Sequence, residues 1–180
     1  MNEINYLDFT VSGDVASLQS YLIDTNILVI AQSTKETEEK RLRAAFIIDS
    51  GINKGNAYIS IQNLVEFVNV MKNKLKSLAD KEIMQSVEDF STTFKQVHYS
   101  TITIVNAVDL SRVRQISFFD ALLAQTMLEN GIHIIYTENT KDFNKIPGIK
   151  AINPFTDKKI VKLCEKIKKQ KLKYQVKQKW

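Results

Sequence analysis

The chain holds one cysteine, Cys164, and only two histidines, His98 and His133. A lone thiol forms no intramolecular disulfide and no thiolate zinc cluster, so a reducing cytoplasm is the expected setting. Two histidines disfavour a histidine-rich metal site or a paired-histidine acid–base mechanism. No run of 18 or more apolar residues occurs, so no membrane-spanning helix and no membrane partner is expected. The start, Met1-Asn-Glu-Ile-Asn, lacks the basic region and long apolar stretch of a secretory signal. Any chemistry the chain performs therefore falls to its carboxylates.

What is present is enough for one well-filled core. The chain has 180 residues, 44% of them apolar, which suits one domain better than two. Its formal charge of +5 is unevenly spread. Residues 156–180 carry ten lysines against Asp157 and Glu165, a local balance of +8 that leaves about −3 for the first 155 residues. A mildly acidic body thus precedes a strongly basic tail.

Short apolar runs alternate with helical patterns along that body. Tyr21-Leu-Ile-Asp and Ala57-Tyr-Ile-Ser read as buried strands, with a weaker candidate at residues 96–99. Ile132-His-Ile-Ile-Tyr and Ile149-Lys-Ala-Ile follow, separated by a Pro147-Gly148 turn. Helices are expected over 36–50 with a stop at Gly51, over 61–75, over 80–95, through Val105, Val108 and Val113, and over 117–129. Strands separated by helices predict an α/β fold: three layers, with a mainly parallel sheet of about five strands. In such sheets ligands bind beyond the carboxyl ends of the strands. Asp24 sits just past the first strand, and Glu138-Asn139 just past the fourth, so both are expected on one side of the molecule.

Each acid also has an ordinary explanation. Asp24 could be a helix N-cap. A phosphotransferase of the haloacid-dehalogenase kind needs a second acid where Asn26 stands, and a response-regulator receiver needs an acidic pair that is absent here. Glu66 stands on a narrow polar stripe with Gln62, Asn63 and Asn69 on an otherwise apolar helix. A carboxylate on such a helix wants a cation or a metal. Asp120, three residues after Ser117, fits a capping pair in a first helical turn, worth about 0.3–1 kcal/mol without any catalytic role. Were all three to converge within about 4 Å, each pair would repel by roughly 4 kcal/mol at an effective dielectric near 20. A divalent cation would relieve that repulsion, and an all-oxygen donor set favours Mg²⁺ or Mn²⁺ over zinc.

Four ordered segments carry a resemblance: Asp24-Thr25-Asn26, Ser60 through Phe67, Ser117 through Leu123, and Tyr136 through Phe143. With the closing Ile146-Pro-Gly-Ile-Lys-Ala-Ile-Asn-Pro-Phe155, they resemble the signature segments of PIN domains over about residues 20–155. The resemblance implies an Mg²⁺- or Mn²⁺-dependent ribonuclease fold similar to the VapC-like toxins of type II toxin–antitoxin pairs. RNA as substrate, a cognate antitoxin and a homodimer go with it. By position, Asp24, Glu66 and Asp120 would be the acidic triad, supported by Asn26, Thr137, Glu138, Asn139 and Asp142. Asn139 stands where many relatives carry a fourth acid. Its carbonyl can still ligate a metal or position water, and Asp142 or Glu138 is at hand to supply the charge. Residues 1–19 form an extension before the domain. Residues 156–180 form a lysine-rich tail whose Ile160, Leu163, Cys164 and Ile167 lie at helical spacing. Within it Lys158, Lys159 and Lys162 are candidates for phosphate contacts, and Tyr174 and Trp180 for base stacking. The competing readings are a catalytically silent PIN-like module that binds RNA or protein, and a DNA-directed nuclease.

Overall fold

Five short segments, four of them apolar runs and the third Lys95-Gln96-Val97, become five parallel strands. The computed structural model describes residues 19–76 and 78–166. The strands are β1 (Tyr21–Ile23), β2 (Ala57–Ser60), β3 (Lys95–Val97), β4 (Ile134–Tyr136) and β5 (Lys150–Ile152). They form one sheet in the order β3-β2-β1-β4-β5, with every pairing parallel. The helices are α1 (Thr25–Gln32), α2 (Glu38–Lys54), α3 (Ile61–Asn69), α4 (Asp80–Thr93), α5 (Thr101–Arg114), α6 (Phe118–Glu129) and α7 (Thr140–Phe143). Residues 158–166 are also helical.

The central strand explains the layering. Alternate side chains of a strand face opposite ways, and β1 buries all three of its residues. Tyr21 and Ile23 join a core with Ile27, Leu28, Ile47, Ile59 and Phe67, drawn from β2 and helices α1 to α3. Leu22 joins a second core with Leu122, Met127, Ile135 and Phe143, drawn from β4, α6 and α7. A strand covered on both faces must be apolar throughout, which is why Tyr21-Leu-Ile is legible as one. Each fully buried Leu or Ile contributes roughly 1.5–3 kcal/mol.

Two expectations change. Helix α2 does not stop at Gly51 but runs on to Lys54, with Gly55 as its cap at φ 61°. Gly51 serves packing instead: a Cβ there would lie 2.3 Å from Ala57 Cβ and 2.5 Å from Tyr21 Oη. The helix expected over 61–75 is α-helical only to Asn69 and continues as a wider π-turn over Val70–Leu75. In α5, the apolar positions Val105, Val108 and Val113 face outward, more than half exposed, while Thr103 and Ala107 pack inward. Their small inner side chains let α5 lie close against α6.

Among the described residues, no helix is long and apolar enough to cross a membrane. Ile160 is buried in the first core, with Cys164 packed partly against it, so the first part of the tail docks on the body. Ile167, Tyr174, Trp180 and nearly all of the N-terminal extension lie outside the described residues.

Helix propensity alone says that Gly51→Ala stabilises by about 1 kcal/mol. Overpacking against Ala57 and the hydroxyl of Tyr21, which donates to the Ile47 carbonyl at 2.9 Å, reverses that sign. We expect a loss of about 1–3 kcal/mol in urea unfolding. A neutral or stabilising result would contradict the close approach.

Candidate functional site

The strand order reverses at β1, whose neighbours are β2 on one side and β4 on the other. That switch opens a crevice beyond the carboxyl ends of β1 and β4. Ile23 pairs with Tyr136, and the Asp24 amide donates to the Tyr136 carbonyl at 3.1 Å. Asp24 therefore emerges beside Thr137. Although Asp24 occupies the N-cap position of α1, its side chain makes no capping hydrogen bond. Thr137 Oγ1 donates to Asp24 Oδ2 at 2.5 Å, and Asn26 Nδ2 donates to the same oxygen at 2.6 Å. Asn26 also reaches Thr137 Oγ1 at 3.1 Å, and its Oδ1 accepts from the Glu138 amide at 3.3 Å. Asp24, only 8% exposed, is thus held by neutral donors.

Glu66 comes from α3, which starts directly at the end of β2. Ser60 caps that helix through a reciprocal pair with Asn63, and the Ser60 amide donates to Asn63 Oδ1 at 2.8 Å. Two turns on, Glu66 Oε2 accepts from Thr25 Oγ1 at 3.0 Å and Oε1 accepts from Gln62 Nε2 at 2.8 Å. Asn63 Nδ2 holds Thr25 Oγ1 in place at 3.1 Å. Of the polar stripe read from the sequence, Asn63 and Glu66 face Thr25 at the start of α1 and Gln62 braces Glu66, whereas Asn69 is exposed and accepts from Asn73.

Asp120 fills both roles that its sequence allows. Its amide donates to Ser117 Oγ at 3.0 Å as a helix cap, and that hydroxyl donates back to Asp120 Oδ2 at 2.8 Å. The same Oδ2 accepts from Asn139 Nδ2 at 3.2 Å. Asn139, in the loop after β4, thereby ties Asp120 to the crevice.

Two supporting acids are engaged elsewhere. Glu138 pairs with Lys40 at 2.9 Å, and Asp142 pairs with Lys145 at 2.6 Å. The Lys145 partner holds the Asp142 carboxyl below its usual range. Neither is a free acid standing in for the amide of Asn139, although the charge of Asp142 is still felt at Asp120. Lys158, Lys159 and Lys162 are exposed on the helix over 158–166. The residues that sequence reading gave no role are Thr25 and Gln62. Only the four-residue spacing of Gln62 to Glu66 on one helix hints at the second.

The PIN domain family model matches residues 21–149. The chain belongs to the PIN domain family. PIN domains are generally nucleases. Solved PIN structures share the fold at low identity. A toxin–antitoxin complex from Klebsiella pneumoniae is 23% identical with a TM-score of 0.54, covering 75% of this chain and 98% of that one. VapBC2 from Rickettsia felis, bound to a DNA fragment from its promoter, is 20% identical with a TM-score of 0.56 and the same coverages. VapC20 from Mycobacterium tuberculosis, a sarcin–ricin loop cleaving toxin, is 16% identical with a TM-score of 0.56, covering 68% and 92%. No curated protein matches the chain.

The electrostatics of this PIN domain centre on Asp24. Burial pushes its carboxyl up from 3.8 to about 6, against the hydrogen bond from Thr137, and the charges of Glu66 and Asp120 push the same way. Asp120 is raised by burial as well, with the charges of Asp142 and Glu66 adding to it. Among the described residues, none of Asp24, Glu66 or Asp120 is ion-paired. Nor do any three His, Cys, Asp or Glu side chains there form a ready-made ligand cluster. The close convergence of three acids is thus not reached, because each is drawn toward its own neutral donors. Three coupled, uncompensated carboxylates still suit a hard divalent cation, which takes oxygen donors and supplies the missing positive charge.

Asp24 is easier to protonate in the folded chain than in the unfolded one. The stability this confers is complete below about pH 3.8 and is lost as pH rises through about 6. In chelator at pH 8, Asp24→Asn should therefore unfold at higher urea than the parent, by up to about 3 kcal/mol. The gain should vanish near pH 3.5. Equal stability of the two proteins at pH 8 would show that the buried charge carries no such cost.

Proposed function

We propose that the protein is an endoribonuclease dependent on Mg²⁺ or Mn²⁺, and the toxin of a toxin–antitoxin pair. The observation that carries this is the set of three coupled carboxylates at the sheet's switch point, none of them ion-paired among the described residues. Family membership supports phosphodiester hydrolysis. The structural relatives support the finer reading, since two are toxin–antitoxin assemblies and a third is a sarcin–ricin loop cleaving toxin. Residues 20–155 would be the nuclease domain and 156–180 an appended basic segment. An antitoxin and a second copy of the chain are the proposed protein partners.

Asp24, Glu66 and Asp120 would hold the cation, which when bound supplies charge neutralisation and Lewis acidity. In hydrolysis the oxygen of a water forms a bond to phosphorus, the bond to the leaving oxygen breaks, and the water gives up a proton. Asp120 Oδ2 is occupied by Ser117 and Asn139. Its Oδ1 accepts no hydrogen bond among the described residues and is the atom assigned to that proton. Asn26 and Thr137 fix the orientation of Asp24, and Asn139 that of Asp120.

The test is cleavage of single-stranded RNA, tRNA and DNA by purified protein with Mn²⁺ or Mg²⁺. RNA cutting should stop with EDTA and fall at least about a hundredfold in Asp24→Asn, Glu66→Gln and Asp120→Asn. RNA binding without cutting, indifferent to EDTA, would instead identify a silent binding module. Replacing Lys158, Lys159 and Lys162 with glutamine should weaken RNA binding about equally for all sequences and flatten its salt dependence. Unchanged affinity would remove the helix over 158–166 from the nucleic-acid interface.

A further inference from the structure

Gln62 is the one buried amide in the site whose two ends have different fates. It is 5% exposed, and its Nε2 donates twice: to Glu66 Oε1 at 2.8 Å and to the Phe119 carbonyl at 2.9 Å. Both partners are pure acceptors, so the amide has only one workable orientation. The reversed amide would set three acceptor oxygens against one another. Its carbonyl oxygen Oε1 must therefore face away from both, where it is buried and has no partner among the described residues. A buried carbonyl left unpaired costs about 1–3 kcal/mol, and native proteins rarely leave one without a donor.

The two donations tie together acids from different helices. Phe119 directly precedes Asp120, so the bond to its carbonyl anchors the first turn of α6 to α3. Glu66 is braced twice, by Gln62 through Oε1 and by Thr25, next to Asp24, through Oε2. Without Gln62, Glu66 would keep only its link to α1, and nothing in this set would set its distance from Asp120.

We propose that Gln62 is a positioning residue that holds Glu66 at a set separation from Asp120. This rests on the nuclease reading for its kinetic consequence, but not for its effect on cation binding. Partners of this kind, one bond removed from a cation's ligands, typically change affinity or activity by 10–100-fold when lost.

The experiment compares the full chain with Gln62→Met and Gln62→Glu. Met keeps the volume and removes both donors and the acceptor. Glu keeps an acceptor, loses the donors and adds a like charge beside Glu66. Mn²⁺ affinity is read by calorimetry, RNA cleavage as separate kcat and KM, and folding by thermal unfolding in EDTA. Gln62→Met should bind Mn²⁺ about tenfold more weakly and lose about tenfold or more in kcat with KM within about twofold, whereas Gln62→Glu, which adds a cation-attracting charge without the donors, should lose kcat without that loss of affinity. In the Glu66→Gln background, Gln62→Met should cost little more Mn²⁺ affinity, because Gln62 acts through Glu66. If Met disrupts folding, Gln62→Leu, which also removes the donors and adds no charge, carries the comparison. Parental affinity and kcat in a folded variant would overturn the proposal while leaving the nuclease reading intact. A parent that binds Mn²⁺ but cuts nothing would overturn the nuclease reading and leave this one tested by the affinity arm. A parent that binds no Mn²⁺ would overturn both.

Discussion

The burial of Asp24 at the end of the central strand is the constraint around which the site is arranged. β1 is covered on both faces, so the residue that follows it has little access to water. Hydrogen bonds to a charged group are worth about 1.5–3 kcal/mol each, and Asp24 receives two from side chains. Its carboxyl is nonetheless pushed up to about 6. Burial, with the added repulsion from Glu66 and Asp120, outweighs the donors. Among the described residues the site is therefore left without a compensating positive charge.

The scaffold concentrates that charge while limiting its cost. Helices α1 and α3 start directly at the ends of β1 and β2, and α6 starts at the same crevice. Asp24 stands at the start of α1 and Asp120 in the first turn of α6, where the partial positive charge of a helix N-terminus favours an anion by about 0.3–1 kcal/mol. Ser60, Ser117, Asn63 and Thr25 serve two purposes each. They satisfy helix-end amides or one another, and in doing so they aim the acids. Removing any of them disturbs local structure and the acidic centre together.

Much of the fold was legible because its constraints are local. The strand runs are apolar because both faces of the sheet are covered, and the order of acids along the chain matched a family pattern. Asp120 shows where legibility stops. Its capping geometry and its place in the site use the same atoms, so a first-turn aspartate after a serine looks the same with or without the second role. Gly51 was misread for a related reason. A glycine late in a helical pattern looks like a stop, but what requires it is Ala57 and Tyr21, partners on other elements. The outward valines of α5 fit helical spacing equally well on either face.

The amino-acid sequence by itself left carboxylates, and neither thiols nor paired histidines, as the candidate chemical groups, and placed Asp24 and Asn139 after strands of a parallel sheet. Those are matters of composition and of periods no longer than a helical turn. Only the tertiary structure decided which carboxylates stay unpaired. It turned Glu138 and Asp142 to Lys40 and Lys145, left Asp24, Glu66 and Asp120 to neutral donors, and placed Gln62 between two of the three. The turn of Asp142 to Lys145 is local, three residues away, but Glu138 meets Lys40 and Thr25 meets Glu66 only because residues tens of positions apart arrive at one sheet edge. Charge pairing acts across space, and the spacing of residues along the chain does not record it.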